Sequence, residues 1–234
     1  APLSAVLPDL ENLGLHVVSE RPYELTLRDD ENVWVQDFDL QLASGKGLEL
    51  ELVKERFHDA FDKVVAGELE SDPLNKLIIL GGLTWRQVNL LHGLVKYLLQ
   101  TGLPYSKNYI EKALIQHPHI SRWLIELFTI RFSPRLDHVE PKKVRAYLEK
   151  FNEKFIIQCD HLDVELTQYQ QSCVDKYIRS RKFVRDTMAD KVVKGITALL
   201  GSVKSQDEDQ IIRYMVDTIN AMLRTNFYQT DEQG

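Results

Sequence analysis

Cysteine is nearly absent: Cys159 and Cys173 are the only two in 234 residues. They lie fourteen residues apart in a helical pattern, about 21 Å along one helix. A disulfide needs Cα atoms within ~7 Å, so the pair cannot bridge within that helix. Both read as buried thiols of a reducing compartment. Long apolar runs are missing too, and nothing approaches the ~20 residues of a membrane helix. Nor is there an excess of positive charge. Lys and Arg number 29 against 35 Asp and Glu, a net −6, which favours solubility and argues against a nucleic-acid partner. The stretch Ala1 to Leu10 has Pro2, Pro8 and Asp9 and no basic region, so it does not read as a signal peptide. It also lacks an initiator Met, as expected of a fragment of a longer chain or of a processed one.

What is present suffices for a globular protein. Apolar residues make up 44% and charged residues 27%, enough for one large domain or two ordinary ones. The first eighty residues look mixed. Ser4 to Asn12 predicts a short helix, with Ser4 as N-cap and Gly14 as the terminating glycine. Leu15 to Ser19 predicts a short strand broken by Pro22. Tyr23, Leu25 and Leu27 alternate with Glu24, Thr26 and Arg28, a half-buried strand. The polar turn Arg28 to Asn32 leads into a further strand over Val33 to Leu42, antiparallel to its predecessor. A helix is expected from about Leu48 to Gly67. Leu74 to Leu80 reads as a last strand or a helical turn. This order matches a ferredoxin-like βαββαβ unit lacking its first strand.

From Thr84 on the pattern is helical. Thr84 with Gln87 forms a capping box, and Val88, Leu91, Leu94 and Leu98 line one face as far as Gly102. Ser106 caps a short helix through Gln116. Pro118 starts another, ended by Pro134. Such short helices must pack on one another to persist in water. Pro141 opens a long helix. Its apolar positions from Val144 to Tyr177 recur about every 3.7 residues, and Val184 to Leu199 continue the series. After a turn at Gly201-Ser202, Asp207 to Phe227 predicts a returning helix whose acidic first turn suits the dipole. The fold class expected is α+β and mostly α: a small antiparallel sheet, then a helical domain with a long antiparallel hairpin. The boundaries fall at residues 1–82, 83–140 and 141–234.

Candidate chemistry is thin. Gly45-Lys46-Gly47 lacks the Lys-Ser/Thr of a phosphate loop and the third glycine of a dinucleotide fingerprint, and reads as a strand-closing turn. Gly81-Gly82 opens onto a helix N-terminus, which can hold an anion. His117 and His119 flank Pro118, but metal sites need three or four convergent ligands. In Cys159-Asp160-His161-Leu162-Asp163, residues two apart on a helix point to different faces. Asp37 and Asp39 share one strand face, where carboxylates do acid–base work or simply face water. The basic run Lys176, Arg179, Arg181, Lys182 and Arg185, with Tyr177 and Phe183, reads as a solvated helix face or a contact between subunits. Asp175, Asp186 and Asp190 interrupt it. The alternative is a free-standing helical interaction module that binds nucleic acid there. No triad, nucleophile elbow or zinc signature occurs. The reading therefore assigns no catalytic, cofactor-binding or metal residue.

Four stretches carry a family resemblance: Leu7 to Leu25, Leu83 to Leu98, Pro104 to Leu114 and Asp207 to Tyr228. Leu10-Glu11-Asn12-Leu13-Gly14-Leu15 running into Glu20-Arg21-Pro22-Tyr23-Glu24 resembles an "LENMGL … ERPYE" run. Leu83-Thr84-Trp85-Arg86 resembles "LSWRE", with Gln87 in place of the acid. Leu223 to Tyr228 resembles "LRTNYF". The family is the large bacterial NAD-specific glutamate dehydrogenases, in a region ahead of the catalytic domain. The resemblance implies an incomplete ACT-like module, whose first strand lies upstream or comes from another chain. It also implies a helical spacer, homo-oligomer contacts and chemistry carried elsewhere: a cytoplasmic parent enzyme that oxidises L-glutamate to 2-oxoglutarate with NAD. This part would be a non-catalytic regulatory and assembly segment with no cofactor of its own, partnered by other domains of the chain and by an amino-acid effector. The parent's catalytic residues would follow Gly234.

Overall fold

The computed structural model describes residues 3–26, 32–42, 50–134 and 181–229. Helix α1 (Leu3–Asn12) starts before Ser4, so Ser4 lies inside the helix rather than at its cap. Gly14 follows at φ +89°, a left-handed conformation natural only to glycine, and turns the chain into strand β1. Two expected strands are one: β1 runs unbroken over Leu15–Thr26. It pairs antiparallel with β2 (Asn32–Leu42), from Leu15 opposite Leu42 to Thr26 opposite Asn32. Pro22 sits within it, opposite Gln36. Each strand of a two-stranded sheet keeps a free edge, where the missing N–H breaks no ladder. The irregularity falls instead between Val17 and Ser19, where the register shifts.

Only the base of this hairpin is packed. Val17, Phe38 and Leu42 lie against Leu10, Leu15 and Ile79, with Val6, Phe57 and Phe61. Phe57 and Phe61 belong to α2 (Leu50–Val65). The distal half is bare on both faces. Tyr23, Leu25, Val33 and Val35 are exposed, and Trp34, of opposite parity to its neighbours, is 60% exposed.

The stretch left open as strand or helical turn is helical. A 3-10 turn, Pro73–Asn75, leads into α3 (Lys76–Leu80). Asp72 caps it through Oδ1, which accepts from the Leu74 N–H at 2.9 Å. Pro73 at the first position supplies a helical φ. Helix α4 (Trp85–Gln100) has the expected capping box. The Thr84 hydroxyl accepts from Gln87 N–H (3.3 Å) and the Gln87 side-chain Oε1 accepts from Thr84 N–H (2.9 Å). Ser106 caps α5 (Lys107–Gln116). Helix α6 spans Pro118–Phe132 and α7 spans Arg181–Leu200. Helix α8 covers Gln206–Ala221, ending before the expected Phe227. Past it Leu223 is almost fully exposed, and Thr225 Oγ1 accepts from the Phe227 N–H in a local turn. Most of the expected long helix from Pro141 lies outside the described residues.

The chain divides into two compact units, Ala1–Ile125 with Leu199–Ala221, and Glu126–Ala198 with Met222–Gly234. The core of the first is built from Leu74, Leu77 and Ile78, from Val88, Leu91 and Val95 of α4, Ile110 and Leu114 of α5, and Ile211, Ile212 and Met215 of α8. In the second, Phe128 meets Phe132, Phe227 and Tyr228 ring to ring. No described helix is long and apolar enough to cross a membrane.

Candidate functional site

The chemistry of the first unit concentrates where the 3-10 turn, α4 and α5 meet. Asp72 spends Oδ1 on its cap and turns Oδ2 inward. There His92 Nδ1 lies at 3.1 Å and Lys107 Nζ at 3.4 Å. Lys107 also lies 3.4 Å from Glu111 Oε1, one helical turn on, and 3.5 Å from Glu70 Oε1. Glu70 binds Lys96 more closely, at 2.9 Å. Asn75 donates its amide to the Glu70 carbonyl at 2.9 Å, which leaves its oxygen facing His92 Nε2 at 3.5 Å. Asp72, His92 and Glu111 are buried, and Asn75 is wholly so.

Charged groups at this depth must satisfy one another. Burial pushes the Asp72 carboxyl up, but His92, the Leu74 N–H and Lys107 outweigh it and hold the group below its usual range. The Glu70 carboxyl is lowered, chiefly by the Lys96 hydrogen bond. Glu111 goes the other way: burial first, then the nearby Asp72 charge, raise it against the pull of Lys107. Burial pulls Lys107 down, and Glu111, Asp72 and Glu70 more than reverse that. Asp72 Oδ2, His92 Nδ1 and Glu111 Oε1 fall within 4.8 Å of one another, close enough to share one cation.

The residues weighed from sequence do not assemble into a second site. Asp39 is taken up by Arg21 at 3.1 Å and by Ser19, so Asp37 and Asp39 are not a free acid–base pair. His117 and His119 part company: Nε2 of His117 meets Glu208 at 2.8 Å, while His119 is exposed. Gly82, at φ +61°, leaves room for Arg56 and Arg122. A Cβ there would stand 2.8 Å and 3.5 Å from their Nη1 atoms. Arg185 of the basic run donates to the carbonyls of Arg131 (2.6 Å) and Ser133 (2.7 Å), closing the C-terminal end of α6. Gly45 to Gly47, Cys159 to Asp163, Lys176, Tyr177 and Arg179 lie outside the described residues.

None of the buried cluster was singled out in the sequence, because its members stand about twenty residues apart. A signal existed nonetheless. His92 is four residues after Val88 and three before Val95, which puts an imidazole on the apolar stripe of α4. Glu111 stands among the buried Ile110, Ala113 and Leu114 in the same way.

Comparison with known proteins places this architecture. Residues 1–53 match the family model for the glutamate dehydrogenase ACT3 domain, and residues 69–134 that for glutamate dehydrogenase helical motif 3. Residues 195–234 match the bacterial NAD-glutamate dehydrogenase catalytic domain. The chain belongs to the bacterial NAD-specific glutamate dehydrogenase family. It is 34% identical over its whole length to the NAD-specific glutamate dehydrogenase of Halomonas elongata, and 34% identical over 99% of its length to that of Pseudomonas aeruginosa. That of Mycobacterium tuberculosis is 39% identical over 57% of the chain. The chain spans 12% of the length of the first two relatives. The third family match corrects one expectation: residues 195–234 fall within the catalytic-domain match rather than ahead of it.

Proposed function

We propose that this chain is a regulatory and assembly segment of an NAD-dependent glutamate dehydrogenase. The parent enzyme would convert L-glutamate, NAD and water to 2-oxoglutarate, ammonia and NADH in the cytoplasm. The chain's own roles would be carried by three parts: an ACT-like module over 1–82, short helices over 83–140 and a helical hairpin over 141–234. The observation that carries this reading is the ordered series of matches, ACT3, helical motif and catalytic domain, in a chain that covers 12% of its relatives.

Partners in this reading are the other domains of the same chain, further subunits and an amino-acid effector. The half-bare hairpin supports a role in contact, because an isolated two-stranded ribbon is marginal in water and exposed aromatic side chains on an open edge invite pairing. The test is made in the full-length enzyme. Replacing Trp34 and Tyr23 by Ser should alter subunit assembly or effector response while the KM for NAD stays unchanged. An altered KM for NAD with assembly intact would count against it.

A further inference from the structure

The buried cluster has an unbalanced centre. Asn75 donates its amide to the Glu70 carbonyl, so its oxygen faces His92 Nε2 at 3.5 Å. His92 Nδ1 lies 3.1 Å from Asp72 Oδ2, and among the described residues it makes no aligned hydrogen bond. Glu111 Oε1 is buried beside them and, among the described residues, is met only by the Lys107 ammonium at 3.4 Å, with no aligned hydrogen bond. The one cation at hand is Lys107. Its ammonium stands 3.4–3.5 Å from three carboxylates, beyond the ~2.7–2.9 Å of a charge-assisted bond. By contrast Lys96 reaches Glu70 at 2.9 Å. Lys107 is partly exposed on a flexible stem and can swing outward.

We infer that Asp72 Oδ2, His92 Nδ1 and Glu111 Oε1 form a binding site for a divalent first-row metal ion, with Lys107 standing in for the ion when none is bound. One imidazole and two carboxylates suit zinc or manganese. Donors within 4.8 Å of one another would close by up to about 1.4 Å to reach the ~3.4 Å separation of a tetrahedral ion held at about 2.0–2.2 Å. The outer partners are in place: Asn75 orients the imidazole, and the Leu74 N–H fixes the Asp72 carboxylate through its other oxygen. The ion would tie the 3-10 turn, α4 and α5 together, a structural role distinct from the proposed chemistry of the parent enzyme.

The test is metal titration of the tag-free 234-residue chain after chelator treatment, with Zn(II) and Mn(II) as probes. One equivalent should bind saturably and raise the melting temperature. Glu111→Gln and His92→Gln should each weaken binding by about tenfold or more. Lys107→Met keeps all three donors and removes the competitor, so it should tighten binding. Electron paramagnetic resonance of the Mn(II)-bound unmodified chain should show one histidine nitrogen, a readout that stands even where a variant fails to fold. Absence of saturable binding, affinity indifferent to Glu111 and Lys107, or a manganese signal without nitrogen coupling would each overturn the assignment.

Discussion

Glu111 and Asp72 share a cluster yet respond to pH in opposite senses. The Asp72 carboxyl is lowered in the fold from 3.8. Its contribution to stability is therefore full above that value and fades as pH falls through the folded one. Glu111 is raised from 4.5. It favours the fold below that value, and the advantage is lost as pH rises through the folded one. With chelator present, Glu111→Gln should remove the part of the stability decline that unfolding curves show on going from pH 4.5 upward. A slope equal to that of the unmodified chain would contradict the burial argument. Asp72→Asn should destabilise by about 1–3 kcal/mol at neutral pH, since it leaves His92 and Lys107 facing an amide. Arg185→Ala strips the last carbonyls of α6 of their donor, and urea unfolding should report a loss of similar size.

At the scale of elements, what is local was legible and what is assembled across the chain was not. The run Thr84-Trp85-Arg86-Gln87 contains all the atoms of its capping box, so the start of α4 could be read directly. Thr84→Ala should lower stability by about 0.5–2 kcal/mol by chemical denaturation. Pro22 misled, because a proline that breaks an interior strand is harmless in a ribbon where both strands are edges. Leu74 to Leu80 was undecidable from its apolar pattern alone, and the cap supplied by Asp72 settles it as helix. The cluster of Asp72, His92 and Glu111 escaped because each residue looks like a turn former, a helix interior residue or a solvated acid until three elements meet. The hairpin shows the same contrast in energies. Leu10 is buried at its base, so Leu10→Ala should cost about 2–5 kcal/mol. Trp34→Ser, at the bare end, should change the stability of the chain by no more than about 0.5 kcal/mol. A large loss at Trp34 would mean that the distal ribbon is already covered.

At the scale of the molecule, the account rests on a division of labour. Helices α4, α5 and α8 bury their apolar faces together in one unit. The order of the matches runs from the ACT3 domain through helical motif 3 into the catalytic domain, with residues 195–234 within the last. The most direct measurement of the central claim is NADH formation by the highly purified chain given L-glutamate and NAD. The account predicts a rate equal to the protein-free background. Turnover that co-purifies with the chain through successive columns would contradict it.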